Sequence, residues 1–208
     1  MLSIIMKKEI REKAMYRDVK IAVIIICSLI IALAVIGCVF SILNALYYDE
    51  IAISHSSDTA WLESEESELC YLMIDVHEIQ FMHSLLISIC SIALMTAVLC
   101  WTRLNNESSY PKLFAVPANR GLMFQGKFMN KTMLKIQIPT EIVCLFIGIA
   151  CYLILQFVKI TSDLLVLFAI LLLPEAVTLI AIPFNIFALK WQYTKSKNEM
   201  TNLNSKNF

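Results

Sequence analysis

No charged residue interrupts the stretch Ile21–Tyr47. A helix needs about 20 apolar residues to cross the hydrocarbon core of a bilayer, so this one run already limits what the chain can fold into. Three more runs follow at Ser84–Trp101, Ile138–Val158 and Leu164–Leu189. The second is close to the shortest that can span, and the first spans with tilt. The first also exceeds the about 7–15 apolar residues of a secretory signal. Composition points the same way. Hydrophobic residues make up 59% of the 208 and charged residues 16%, whereas a soluble domain has about 45–50% and about 25%. The expected fold class is an all-α integral membrane protein with four transmembrane helices, held in the bilayer of the cell membrane.

The formal net charge is zero, which argues against a nucleic-acid partner. Its distribution carries the topology. Residues 1–20 hold six basic side chains and three acidic ones, residues 48–83 hold nine acids and no Lys or Arg, and residues 102–137 hold six basic side chains and one acid. The tail 190–208 has four basic residues and one acid. Lys and Arg concentrate in cytoplasmic segments. The sequence therefore reads as N-in/C-in. Residues 1–20 form a cytoplasmic interfacial helix, 21–47 the first span, 48–83 an acidic extracytoplasmic loop and 84–101 the second span. Residues 102–137 form a basic cytoplasmic loop, 138–158 the third span, 159–163 a short outer turn, 164–189 the fourth span and 190–208 a cytoplasmic tail. Trp101, Trp191 and Tyr193 at the inner ends, and Tyr47–Tyr48 at an outer end, suit the aromatic belts of a bilayer. The sequons at Asn106 and Asn130 fall on the expected cytoplasmic side and read as chance matches.

Several chemistries are excluded. Six of the seven cysteines lie in apolar runs and only Cys70 in a polar segment, so no disulfide framework is expected. No C-x-x-C pair offers a zinc site. The acidic segment carries His55, His77 and His83, yet it contains neither an EF-hand loop nor H-E-x-x-H, and it reads as a solvated loop without metal. Gly121–Phe128 approaches a phosphate-binding loop, but Phe128 stands where the Mg²⁺-holding hydroxyl belongs and no strand precedes it. No nucleophile–base arrangement is readable, so the chain is not expected to be an enzyme or to hold a cofactor.

Two segments invite function. The N-terminal segment alternates Leu2, Ile5, Met6 and Ile10 with Lys7, Lys8, Arg11 and Lys13, as an interfacial helix on anionic headgroups would. An ordinary positively charged flank is the competing reading. The central loop mixes basic residues with Leu113, Phe114, Val116, Leu122, Phe124 and Phe128, and apolar density of this kind marks interfaces. It reads as a docking surface, or alternatively as an inward extension of the third span.

Met6–Asp18 (MKKEIREKAMYRD) resembles the start of exporter-type ATP-binding-cassette transporter permeases. After the second span, Glu107, then Leu113–Arg120 (LFAVPANR), then Gly126-Lys127 are similar to the cytoplasmic loop of that family. The resemblance covers residues 6–150 and implies an interfacial elbow helix. It also implies docking of a separate ATPase subunit on Pro117, Arg120, Phe124 and Lys127. Such permeases commonly have six spans, and four are counted here, which calls for a homo- or hetero-oligomeric partner.

Inside the spans, Glu175 follows Pro174 roughly 17 Å into the fourth. A carboxyl there must face a bundle interior, a cavity or a partner. It reads either as a proton or substrate contact or as a hydrogen-bonded packing residue. Pro174 frees the carbonyl of Ile170. Glu141 with Pro139 is expected in the first turn of the third span, where proline and an acid are both tolerated. Asn185 is expected to line a cavity or to join two helices. The function expected from these features is a permease-like subunit of an ATP-driven exporter for a lipid or amphipathic peptide. The alternative is a four-span interaction or scaffold protein without transport.

Overall fold

The computed structural model describes residues 2–107 and 131–206, with side chains placed within 14–102 and 133–190. The described residues form helices and short links, without strands. The elements are α1 (Leu2–Ser54), α2 (Thr59–Leu62), α3 (Glu65–Glu107), α4 (Lys131–Phe157) and α5 (Ser162–Lys206). Four of them are long and apolar enough to cross a membrane, and the chain is an integral membrane protein.

The helices run well past the apolar runs. α1, α3 and α5 have 53, 43 and 45 residues. At 1.5 Å per residue these lengths are about 80, 65 and 68 Å, more than twice a hydrocarbon core of about 30 Å. The N-terminal 2–20 is therefore continuous with the first span. α3 begins far ahead of Ser84 because residues 65–83 are amphipathic at helical spacing. Ser67, Cys70, Val76, His77, Gln80 and His83 are buried, while Glu65, Glu66, Glu68, Asp75 and Glu78 are exposed. Its N-terminus is built locally: the Ser64 hydroxyl accepts from the Ser67 amide, and three acids meet the positive helix end. Just upstream, Asp58 caps α2 by accepting from the amides of Ala60 and Trp61.

α4 begins at Lys131, which revises the reading of Pro139 and Glu141. Pro139 lies inside the helix, not in its first turn, and takes one donor from the helical ladder. Thr140 bonds back to the carbonyl of Ile136 at 2.8 Å. Glu141 is buried on the inner face, away from a helix end.

The chain divides across its long helices into two compact units, one of residues 1–27, 93–140 and 180–208 and the other of residues 28–92 and 141–179. The first has a small core of Ala97, Cys100, Leu134 and Ala188, with Trp101, Ile138 and Leu189 packed on it. Tyr16 of α1 meets Trp101 edge to face, 5.2 Å between ring centroids. The second has a core of Val76, Cys151, Leu155, Ile160, Leu165 and Phe168. Here Ile160 tucks the link between α4 and α5 into the interior.

Burial is uneven among the spans. In α3, 61% of the most apolar window is buried, against 17% in α1. Exposed Leu33, Ile36, Phe146, Leu173 and Val177 give the apolar outer surface that lipid tails require.

Candidate intramembrane polar site

The buried face of α3 in the second unit is polar. His77, Gln80, Ser84 and Ser91 recur at three-, four- and seven-residue steps, with His83 and Cys90 beside them, and all six are buried. The helix can carry this stripe because it is the most enclosed of the four, so its polar groups face protein in place of lipid.

At the centre of the stripe, His83 faces Glu175 of α5. Its Nδ1 lies 3.3 Å from Glu175 Oε1, and both side chains are 0% exposed. Nε2 lies 3.2 Å from the carbonyl oxygen of Phe168. A carbonyl only accepts, so Nε2 carries a hydrogen. The contact between Nδ1 and Oε1 then needs one further proton, whichever atom holds it. Imidazolium with carboxylate and imidazole with carboxylic acid contain the same atoms, and each leaves the pair with no net charge. That neutrality is what makes a carboxyl tolerable inside a membrane helix.

The surroundings hold this geometry from three sides. Gly148 of α4 packs directly on the carboxyl: a Cβ there would lie 2.6 Å from Glu175 Oε1 and 2.9 Å from Ile87 Cγ1. Thr178 donates its hydroxyl hydrogen to the Glu175 carbonyl at 2.6 Å. The Cys90 thiol, 3.1 Å from that hydroxyl oxygen, is therefore the donor to it. The Cys144 thiol of α4 donates to the Pro174 carbonyl at 3.5 Å. Glu175 Oε2 is buried and has no hydrogen-bond partner among the described residues.

A second polar knot lies on the same stripe. Gln80 Oε1 accepts from His77 Nδ1 at 3.0 Å and from Ser41 of α1 at 3.4 Å. Gln80 Nε2 donates to Gln156 of α4 at 2.6 Å. Tyr48 stacks on the His77 ring, 5.8 Å between centroids. One fully buried amide thus ties three helices. Beside it lies an apolar cavity of about 210 Å³ whose walls include Leu33, Gly37, Ser84, Ile87 and Tyr152. Gly37 gives Tyr152 and Ser84 room, since a Cβ there would lie 3.0 Å from each hydroxyl oxygen.

Of the residues singled out in the sequence, Glu175 and Pro174 lie in this site. Asn185 belongs to the other unit, where its side-chain amide donates to Thr96 at 3.3 Å and its carbonyl accepts from Cys100 at 3.4 Å. It joins α5 to α3. Pro117, Arg120, Phe124 and Lys127 lie outside the described residues. His83 was missed by sequence reasoning, which put it at the end of the acidic segment. The signal that finds it is the helical amphipathy of residues 65–83, which carries α3 across the charge boundary. No protein-family model, curated protein or solved structure matches the chain.

Proposed function

We propose that this chain is the membrane-spanning, permease-like subunit of an ATP-driven exporter in the cell membrane, with the ATPase on a separate chain. The observation that carries this reading is that segments of all four long helices belong to one compact unit. Tyr16 of α1, Trp101 of α3, Leu134 of α4 and Ala188 of α5 all belong to it, and its helices lead into the basic, apolar-rich segment 102–137. A partner pressing on that segment would act on the ends of α3 and α4 together. Pro117, Arg120, Phe124 and Lys127 are the residues offered for docking, by their likeness to the family loop. The exposed apolar surface of the spans suits a lipid or amphipathic peptide as cargo.

Affinity purification in mild detergent tests the reading. An ATPase should co-purify with the wild-type chain and be lost with Arg120→Glu. A stable complex without any ATPase, unchanged by Arg120→Glu, would contradict it and favour a four-span scaffold.

A further inference from the structure

We propose that His83 and Glu175 form an intramembrane proton-binding site whose occupancy is coupled to the contact between α3 and α5. This goes beyond docking of an ATPase and does not depend on it.

The geometry leads there in three steps. First, the Phe168 carbonyl at 3.2 Å keeps a hydrogen on Nε2, so the 3.3 Å contact from Nδ1 to Oε1 exists only with one more proton present. Second, release of that proton to water leaves a neutral imidazole lone pair facing a carboxylate. Two acceptors repel, so the empty pair cannot keep this distance, and proton release and parting of the two side chains become one event. Rebinding a proton restores the neutral pair; no bond other than N–H or O–H forms or breaks. Third, the contact bridges 92 residues of sequence, from α3 to α5, so its breakage acts on how those helices pack. Glu175 Oε2, buried without a partner among the described residues, is a second proton-accepting position in the same group.

The groups around the pair are few. α3 adds Cys90, and α4 adds Glu141, Cys144 and Cys151; Cys90 and Cys144 lie within electrostatic reach of both carboxyls. Cys38 of α1 and Tyr152 of α4 lie beside Ser84, the neighbour of His83. The four apolar runs contain no Lys or Arg. His83 is thus the basic group that meets Glu175, and a second acid, Glu141, acts on the same two thiols.

The test uses the purified full chain in lipid nanodiscs without any ATPase. Infrared difference spectra between acid and alkaline buffer should show a carboxyl band that shifts on ¹³C-Glu labelling. The band should be lost in Glu175→Gln and retained in Glu141→Gln. In the wild-type protein, ¹⁵N-labelled histidine should report a His83 Nδ1 signal that changes over the same pH range, and a spin-label distance between α3 and α5 should change with it. A band that persists in Glu175→Gln, or a His83 signal and distance that stay constant with pH, would overturn the proposal. The histidine measurement needs no variant, so a folding defect in Glu175→Gln leaves it decisive.

Discussion

Gly148 and Glu175 meet so closely that a Cβ on the glycine would lie 2.6 Å from the carboxyl oxygen that faces His83. A glycine in a helix interior costs about 1 kcal/mol relative to alanine, so its presence in α4 marks a place where the helices need the room. The glycine, the carboxyl and the imidazole form one packed unit from α4, α5 and α3.

Gly148→Ala should therefore destabilise the protein in spite of its better helix propensity. Overpacking a tight interior costs about 1–3 kcal/mol. The atom that must move is a buried carboxyl oxygen in a hydrogen bond, which places the cost at the upper end. Thermal unfolding in detergent should show a lower midpoint for Gly148→Ala, and a still lower one for Gly148→Val.

Gln80→Leu removes the amide shared by His77, Ser41 and Gln156. Each buried polar group left without a partner costs about 1–3 kcal/mol. The loss should exceed that of Ser41→Ala, which removes the longest of the three bonds and a contact to Tyr152. Denaturation midpoints of the two variants under one detergent condition check the order.

Asn185→Ala is the mild counterpart. Side-chain hydrogen bonds between membrane helices average about 0.6 kcal/mol and reach about 1.7 kcal/mol. Asn185 makes one such bond, to Thr96, so its loss should fall in that range and leave α3 and α5 assembled. A loss as large as that of Gln80→Leu would mean that Asn185 does more than join two helices.

The number of spans was legible in the sequence because each apolar run is sufficient by itself to specify a membrane helix. The lengths were not. The acids at 65–78 look like a loop when charge is counted, yet they lie on one face of α3, with Cys70, Val76 and His77 on the other. Periodicity, not charge, separates an amphipathic helix from a solvated loop. Glu175 stood out because a carboxyl inside an apolar run is costly. Its partner did not, since His83 lies 92 residues away and one position outside the second run. Glu141 was misplaced for the same reason as α3, because α4 starts at Lys131, ahead of the apolar stretch. Gly148 gave no signal of its own: the packing of Glu175 and Ile87 against it explains the residue.

A double-mutant cycle on His83 and Glu175 tests the central claim most directly, that the two side chains form one neutral, interdependent unit. Breaking a buried pair from one side costs about 3–5 kcal/mol, because the remaining group is left uncompensated, whereas replacing both by apolar residues is often close to neutral. His83→Leu and Glu175→Leu should each lower stability strongly, and the double variant should be more stable than either single one. Losses that simply add in the double variant would contradict the account.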